Sequence, residues 1–481
     1  MSATTSQGIA GDQDRRLSAR TYIETHRRRR HSNRVLHGHP APLFWRERNI
    51  SVPAIMAKRM TGLAGMPKRL NLYVATPYCL PTTPDRCGFC LFPSEVYQGR
   101  HQLDTYLRYL EREGEMYRRF LEGTALRSVY FGGGTSNLYR ADQYSRLLEL
   151  VHSLFPNVDG GTEVTLEGVP QLFTLEKLEA MRAGGVNRIS IGVQQLADEL
   201  IAMSGRKQKA AQVFQTIEWC HDLGLPVSVD LIFGWPRQTV DGMLRDLEAV
   251  VAAGVDHLTH YELNVGGRTD FSRNRSHELP SVEATLEMYR TARDFLGRKG
   301  YQQATTYDWE RSDTQSPQLV YEEEWRHRFS ASPDGALMGS QTWGWGFAGI
   351  SHFLGDRGNR GWTYMNHARV EGYFRSLDAG EFPVERAFHY THEADFRLTV
   401  LFQMLLSMVV DRALYAAVTG VDVVSELPDI WAALAEQGWV NITRARLELV
   451  GDGVFYTPLI QSLLARERIE ELRRSTFALP I

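Results

Sequence analysis

The chain has 481 residues, of which 43% are hydrophobic, and its formal net charge is −3. A chain of this length can bury the cores of two or three domains. The near-neutral charge gives no overall attraction to nucleic acid, and no apolar run approaches the ~18 residues of a membrane span. The composition therefore argues against a nucleic-acid-binding protein and against an integral membrane protein.

Residues 1–68 are predicted to form an N-terminal extension. They contain one dense basic block, Arg27–Arg30, within HRRRRHSNR. Such a block is typical of a solvated arm, but arginine forks also suit a clamp for carboxylates or phosphates. The stretch from Arg34 to Val52 has Pro, His and aromatic residues without a clear period. This stretch predicts a strap that packs on another part of the protein.

From Leu70 to about Gly300, strand-like and helix-like segments alternate six times. The strand-like segments are NLYVAT, RSVYFGG, TEVTLEG, NRISIGV, PVSVDLIFG and DHLTHYEL. This repetition predicts an α/β fold with parallel strands wrapped by helices. Six units suit a partial barrel, open on one side, better than a closed eight-stranded one. Active sites in such barrels lie at the carboxyl ends of the strands.

Three of the four cysteines, Cys79, Cys87 and Cys90, fall in the loop TPYCLPTTPDRCGFC after the first strand. Thiolates this close together can bind a metal or an iron–sulfur cluster. A structural zinc site usually has paired C-x2-C ligands, and no second pair follows here. Because cysteines are sparse and no segment resembles a signal peptide, we expect a reducing, cytoplasmic location rather than a disulfide. Cys220 is predicted to be a core residue.

Polar or glycine-rich motifs follow the next four strands. The second strand runs into FGGGTSNLY, where glycines allow backbone amides to approach a ligand and Thr135 adds a hydroxyl. Glu167, Gln194 and Asp230 end the third, fourth and fifth strands. Each alone could be a capping or turn residue. Around one rim, beside three cysteines, they indicate a binding site.

The order of these motifs resembles the radical S-adenosylmethionine (SAM) enzymes, and within them the oxygen-independent coproporphyrinogen III oxidase branch. The shared string is the cysteine loop, FGGGT, E-x-x-P, NR-x-S-x-GVQ, GR and DLI-x-G-x-P. The resemblance extends through YELN near Tyr261 and GWGFAGISHFLG at Gly344–Gly355. It implies a radical SAM partial barrel at 69–310 and a connecting segment at 311–369 that completes a second SAM or substrate pocket. It also implies a mostly helical, winged-helix-like C-terminal domain at 370–481.

The resemblance also implies the cofactors and their contacts. Cys79, Cys87 and Cys90 would bind a [4Fe–4S] cluster, and SAM would chelate its open iron. Reductive cleavage of SAM would yield a 5′-deoxyadenosyl radical that abstracts hydrogen from the substrate. No catalytic side chain beyond the cluster cysteines is implied. The residues expected to contact SAM are Tyr73, Phe89, Gly133, Gly134, Thr135, Glu167, Gln194, Arg206 and Asp230.

Three features depart from the family pattern. The usual spacing is C-x3-C-x2-C, but here the first gap has seven residues. Ala75 stands where the family usually has a histidine. The middle of the chain is also unusually aromatic, which indicates either core and inter-domain packing or a pocket for a flat substrate. The aromatic residues in question are Trp325, Trp343, Trp345, Phe347, Phe353, Trp362 and Tyr364.

These departures lead to the hypothesis of a class C radical SAM methyltransferase or cyclopropanase. Such an enzyme would use two SAM molecules to modify an sp2 carbon of a small unsaturated or aromatic natural product. The alternatives are oxidative decarboxylation of a porphyrinogen, in which the Arg27–Arg30 block would meet propionates, and a haem-binding chaperone. The expected partners are a small-molecule substrate and an electron donor such as flavodoxin or ferredoxin. The protein is expected to be a monomer.

Overall fold

The computed structural model describes residues 18–29, 35–61, 68–158, 161–264, 269–314, 329–331, 337–339, 341–355 and 358–477. Arg30 and Trp325 lie outside these ranges. The described residues form two compact units. The first unit combines described residues of 1–44 with those of 391–481, and the second spans residues 45–390.

The helices and strands are numbered in chain order. The helices are α1 (Ala19–His26), α2 (Val52–Thr61), α3 (Arg100–Leu121), α4 (Ala141–Leu154), α5 (Leu175–Ala183), α6 (Asp198–Ala202), α7 (Ala210–Asp222), α8 (Val240–Ala252), α9 (Asp270–Asn274), α10 (Val282–Arg298), α11 (Val370–Asp378), α12 (Glu393–Leu406), α13 (Arg412–Thr419), α14 (Val423–Glu426), α15 (Pro428–Glu436) and α16 (Thr457–Phe477). The strands are β1 (Lys68–Thr76), β2 (Tyr78–Cys79), β3 (Glu95–Val96), β4 (Thr124–Gly133), β5 (Glu163–Gly168), β6 (Arg188–Gln194), β7 (Val227–Phe233), β8 (His257–Glu262), β9 (Tyr301–Gln303), β10 (Asp308–Arg311), β11 (Phe329–Ala331), β12 (Leu337–Gly339), β13 (Gln341–Trp345), β14 (Ile350–Leu354), β15 (Gly361–Asn366), β16 (Val384–His389), β17 (Val409–Asp411), β18 (Val440–Ile442) and β19 (Arg446–Leu449).

The second unit is built on one large sheet. Its centre has the order β1–β4–β5–β6–β7–β8, and each neighbouring pair is parallel. The six predicted strand–helix units are thereby confirmed. The sheet also extends beyond them, because β13 pairs in parallel with β1 and is followed by the antiparallel strands β14, β15 and β16. Antiparallel β10 and β9 complete the other edge. The segment 311–369 thus contributes strands to the main sheet.

Helices around the sheet are supported by apolar stripes or by capped starts. In α3, buried residues recur at helical spacing, as Leu103, Leu107 and Leu110 illustrate. Thr174 and Ser281 cap α5 and α10 by accepting a hydrogen bond from a backbone amide three residues on, at 3.3 and 3.1 Å. Covering helices of this kind allow parallel strands to be buried.

One face of the central strands carries buried polar side chains at every second position. The hydroxyl of Ser128 in β4 donates to Asn71 in β1 at 2.7 Å. Arg188 in β6 donates to Thr165 in β5 at 3.2 Å and to His257 in β8 at 3.3 Å. Because side chains alternate along a strand, the residues two positions further along share this face at the carboxyl ends. These next positions include Tyr73, Tyr130 and Glu167, which belong to the candidate site.

The first unit confirms the expected helical C-terminal region and adds a small antiparallel sheet, β17–β19–β18. Helix α12 is almost wholly buried at its centre. The N-terminal stretch packs here: the backbone of Leu36 exchanges two hydrogen bonds with the Gln461 side chain, at 2.7 and 2.8 Å. From the basic block, Arg27 donates to Gln437 at 3.1 Å.

A buried ion pair joins three segments of this first unit. Asp395, 1% exposed, accepts hydrogen bonds from Arg468 at 2.8 and 2.7 Å. His39, which is fully buried, lies 3.1 Å from the same carboxylate. Burial raises the pKa of Asp395, but the hydrogen bonds from Arg468 and His39 outweigh it and hold that pKa below its ordinary value. The ionised carboxylate is therefore part of the folded structure.

Replacing Asp395 by alanine is expected to lower the free energy of unfolding by about 1.5–3 kcal/mol, because the half-buried Arg468 and the buried His39 would both lose the carboxylate that they share. The stabilisation should be present above the unfolded carboxyl pKa of about 3.9 and should disappear as the pH falls through the lower folded pKa. Urea unfolding at pH 7 and at acid pH measures both effects. The matched control is Glu471→Ala, since Glu471 is an exposed partner of Arg468 at 2.8 Å and should cost less than ~1 kcal/mol. Equal losses in the two variants would contradict this prediction.

Candidate active site

The cysteine loop, residues 79–90, begins where β1 ends, at the carboxyl edge of the parallel strands. Cys79 belongs to β2, which pairs in parallel with β3. The backbone carbonyl of Cys79 accepts a hydrogen bond from the Tyr97 amide at 2.8 Å. The first cysteine is therefore held by a short sheet rather than by an open loop.

The seven residues between Cys79 and Cys87 are folded into a compact turn. The Thr82 hydroxyl accepts from the Cys87 amide at 2.9 Å and donates to the carbonyl of Pro84 at 2.8 Å. Arg86 and Cys87 adopt left-handed φ values of 48° and 56°. The Cys90 amide then donates to the Arg86 carbonyl at 3.2 Å. The longer gap thus ends in an ordered turn that presents Cys87 and Cys90 together.

Gly205 lies directly behind this turn. A methyl group at this position would lie 2.4 Å from the carbonyl oxygen of Thr83, and the φ of Gly205 is +71°. Real side chains do not approach a backbone oxygen this closely. Glycine is therefore required at Gly205 by the lengthened loop and by its own backbone conformation.

The charges of neighbouring thiols and of Arg206 affect the pKa of the cysteine thiols. Burial raises the pKa of the Cys79 and Cys90 thiols, that of Cys90 to about 12. Cys87 raises both further, while the charge of Arg206 and hydrogen bonds, including one from Thr135 to Cys79, lower them. The predicted ligands Cys79, Cys87 and Cys90 are thus grouped beside two residues that the resemblance assigned to SAM.

The glycine run at the end of β4 packs against the segment just before the cysteine loop. The amide of Gly134 donates to the Thr76 carbonyl at 2.7 Å, and the amide of Thr135 donates to the Tyr78 carbonyl at 2.9 Å. A methyl group at Gly134 would lie 2.5 Å from the Tyr78 oxygen, and Gly133 has φ +102°. These glycines let the loop approach the end of β4. The amides of Gly134 and Thr135 are therefore already bonded to protein carbonyls.

Tyr73, Tyr130 and Glu167 surround Gly132 on the inner face of the sheet. The rings of Tyr73 and Tyr130 stack at 5.9 Å, and the Tyr130 hydroxyl donates to Glu167 at 3.4 Å. A methyl group at Gly132 would lie 2.7 Å from the Tyr73 hydroxyl and 3.0 Å from a Glu167 carboxylate oxygen. Sequence reasoning missed Tyr130. Its position two residues before Gly132, on the inward-facing alternation of β4, was the available signal.

The next two strands bring the remaining polar candidates to the same edge. Gln194 ends β6 with a left-handed φ of 67°, at an irregularity in the pairing with β7. Arg206 donates to the carbonyl of Gly192 at 2.7 Å, which anchors the guanidinium at the end of β6. Asp230 lies opposite Gly192 in β7 and accepts from the Ser190 hydroxyl at 3.5 Å. Gln194 thus ends β6, as the sequence predicted, whereas β7 continues to Phe233, so the prediction that Asp230 ends its strand is wrong.

Phe89 belongs to an apolar cluster rather than to this polar group. Its ring contacts Trp235 at 5.0 Å and Phe271 at 6.1 Å. Trp235 is fully buried and donates to the carbonyl of Leu200 at 3.1 Å. Sequence reasoning missed Trp235 and Phe271. The loop thus has an apolar wall on the Phe89 side.

The aromatic middle of the chain is mainly core. Trp343 and Trp345 stack at 5.2 Å, and both are buried. Phe347, Phe353 and Tyr364 are buried as well, whereas the partly exposed Trp362 stacks on His389 at 4.1 Å. Of the two interpretations left open, the packing one describes the buried members.

Comparisons with known proteins agree with this arrangement. Residues 79–250 match the radical SAM superfamily model. An oxygen-independent coproporphyrinogen III oxidase from Helicobacter pylori is 27% identical over 350 residues, which are 72% of this chain and 74% of the relative. The haem chaperone HemW from Bacillus subtilis is 24% identical over 80% of this chain and 96% of the relative.

A solved structure gives the same fold. The coproporphyrinogen III oxidase HemN from Escherichia coli, described as a radical SAM enzyme, matches with a TM-score of 0.75 and 23% identity. The match covers 89% of this chain and 96% of that one. Within the described part of this chain, no helix is both long and apolar enough to cross a bilayer. Residues 79–250 thus form a radical SAM domain, and the chain around it has the fold of HemN and is similar in sequence to coproporphyrinogen III oxidases and haem chaperones.

Proposed function

We propose that this protein is a SAM-cleaving radical enzyme that oxidatively decarboxylates a small carboxylated substrate, in the manner of oxygen-independent coproporphyrinogen III oxidases. The observation that carries the proposal is the grouping of three thiols with Arg206, Tyr73 and Glu167 at one strand edge. The similarity to curated oxidases over about three quarters of their length supports the choice of reaction.

The donor set fits the cofactors that the family implies. Among the described residues, no group of three His, Cys, Asp or Glu side chains is placed to hold a single metal ion. A four-iron cluster takes one thiolate at each protein-bound corner, and the three thiols of this loop lie close enough to affect one another's pKa. When bound and reduced, the cluster with SAM supplies reductive cleavage and hydrogen abstraction.

The chain's own residues would bind and shield these groups. The cation of Arg206 favours the thiolate forms of Cys79 and Cys90. Burial raises the pKa of Tyr73, and Glu167 and Cys90 raise it further, so its phenol stays protonated and can donate a hydrogen bond. The carboxylate of Glu167 can accept from an ammonium or hydroxyl group. The wall of Phe89, Trp235 and Phe271 would exclude water from one side.

The second candidate is methyl transfer or cyclopropanation of an unsaturated substrate with two SAM molecules. Two observations favour this second candidate function. Ala75 replaces a polar family residue, and it lies beside the turn after β13. The cysteine loop has its own turn stabilised by Thr82, which differs from the family's shorter spacing.

One anaerobic assay separates these reactions. The cluster-reconstituted enzyme is incubated with dithionite, methyl-deuterated SAM and either coproporphyrinogen III or a set of small aromatic acceptors, and the products are analysed by mass spectrometry. Unlabelled 5′-deoxyadenosine, no S-adenosylhomocysteine and loss of carbon dioxide from the porphyrinogen are the expected result. Deuterated 5′-deoxyadenosine with S-adenosylhomocysteine would instead identify methyl or methylene transfer. Haem binding without SAM cleavage would indicate a chaperone and contradict both enzyme proposals.

A further inference from the structure

The turn between β13 and β14, residues 346–349, lies beside the end of β1 and is called the rim turn here. In the parallel pairing of β1 with β13, Val74 lies opposite Trp345. The following residues, Ala75 and Gly346, are therefore neighbours at the carboxyl ends of the two strands. A methyl group at Gly346 would lie 3.3 Å from the Ala75 carbonyl oxygen. The rim turn is thus part of the same edge as the candidate site.

Helix α3 holds this segment at three successive residues. The indole of Trp345 donates to the Leu110 carbonyl at 2.9 Å. The amide of Phe347 donates to the Tyr106 hydroxyl at 2.9 Å, and that hydroxyl donates to the Ala75 carbonyl at 2.6 Å. Between them, the amide of Gly346 donates to the Glu113 carboxylate at 2.9 Å.

Glu113 is the centre of this arrangement. It is fully buried and also accepts from the Asn366 side chain at 2.8 Å and from the Tyr373 hydroxyl at 2.6 Å. The same Asn366 amide nitrogen donates to the Gly346 carbonyl at 2.9 Å, which fixes the orientation of that amide. One buried carboxylate therefore joins α3, the rim turn, β15 and α11.

The rim turn has backbone conformations that need such support. Gly346 has φ +100°, and the non-glycine residue Ala348 has φ +53°. A left-handed residue with a side chain is disfavoured and persists where its surroundings determine it.

We propose that Glu113 is a positioning residue, whose ionised carboxylate holds the rim turn in the conformation that the active site needs. This inference rests on the proposed SAM-cleaving function. Glu113 contacts neither the thiols nor the other candidate residues, so it acts through the turn.

The pKa of Glu113 lies near neutral pH, so its carboxyl group changes protonation state within the physiological pH range. The pKa of Glu113 is raised to about 7: burial raises it, and the hydrogen bonds from Tyr373, Asn366 and Gly346 offset only part of that rise. By linkage, these hydrogen bonds are stronger when Glu113 is ionised and weaken as the pH falls below about 7. The titratable groups that face Glu113 are tyrosines whose pKa values are all raised, so none of them titrates there: Tyr106 and Tyr117 from α3, Tyr364 from β15 and Tyr373 from α11.

The test is hydrogen exchange of the reconstituted enzyme between pH 6 and 8.5, corrected for intrinsic rates and resolved to single amides. In the wild-type protein, the Gly346 amide should exchange roughly tenfold faster at the acid end. The Gly344 amide is the internal control, because it donates to Ser351 at 3.1 Å and has no contact with Glu113. Formation of 5′-deoxyadenosine, measured in parallel, should decline with the same midpoint.

Two variants make the assignment specific. Glu113→Gln should remove the pH dependence of the Gly346 amide and of the SAM-cleavage rate. Tyr373→Phe removes one hydrogen bond that lowers the Glu113 pKa, so both midpoints should move to higher pH. An acid limb that persists in Glu113→Gln, or a midpoint that stays unchanged in Tyr373→Phe, would overturn the proposal. Absence of SAM cleavage at every pH would instead contradict the proposed function, while the exchange data still decide whether Glu113 holds the turn.

Discussion

Replacing Cys79, Cys87 or Cys90 by alanine is expected to abolish 5′-deoxyadenosine formation and the iron–sulfur absorbance of the reconstituted protein. Each of the three thiols would occupy a separate corner of the cluster, and within 79–90 no histidine or fourth cysteine could replace one. Removing one thiol should therefore prevent cluster assembly rather than slow turnover. Iron content, visible absorbance and anaerobic SAM cleavage measure this directly.

Cys220→Ala is the matched control for these variants. Cys220 is fully buried in α7, and burial raises the pKa of its thiol to about 12, as it does for Cys90. Its loss leaves only a small cavity, so iron content and SAM cleavage should stay near wild type. If Cys220→Ala lost the cluster while Cys87→Ala kept it, the ligand assignment would be wrong.

Replacing Gly205 by alanine is expected to give the second large effect, loss of most cluster loading in a protein that still folds. The added methyl group would meet the Thr83 carbonyl oxygen at 2.4 Å, so the turn that carries Cys87 must move. The left-handed conformation of Gly205 adds a further cost of about 1–2 kcal/mol. Circular dichroism reports the fold, and iron content per chain reports the loop.

Gly224→Ala separates these two contributions. Gly224 has nearly the same φ, +66°, but a methyl group there would meet nothing within 4 Å. This variant therefore has the same backbone strain at a left-handed residue, but it does not displace the cysteine loop. It should retain its iron. Similar iron loss in both variants would show that Gly205 acts through backbone strain alone, which would contradict the role inferred for the lengthened loop.

The candidate site could be located from the sequence because its residues follow strands. The polar residues Glu167, Gln194 and Asp230 each end an apolar segment, and parallel strands bring such ends to one edge. The structure places Glu167 and Gln194 there, with the cysteine loop at the end of β1, whereas Asp230 lies in the middle of β7. Their individual contacts to SAM remain a prediction from the resemblance.

Other parts of the site depend on distances that no local pattern contains. Tyr130 approaches Glu167 only because β4 and β5 pair in one particular register. Gly134 and Thr135 looked suited to meet a ligand, but their amides donate to the carbonyls of Thr76 and Tyr78, just before the cysteine loop. The first outcome depends on the register of β4 with β5, and the second on how closely the end of β4 approaches the end of β1.

The sequence by itself determined the alternation of six strands and helices, the cysteine loop, and the residues at the strand ends, because these depend on periodicity and spacing along the chain. Only the tertiary structure decided that segment 311–369 joins the main sheet through β13, since strand pairing depends on partners distant in sequence. It also decided that most of the aromatic middle is core and that Glu113, a residue within an ordinary amphipathic helix, supports the rim turn. Burial and hydrogen bonding between remote segments give these residues their roles, and neither property can be derived from the residues adjacent to them in the chain.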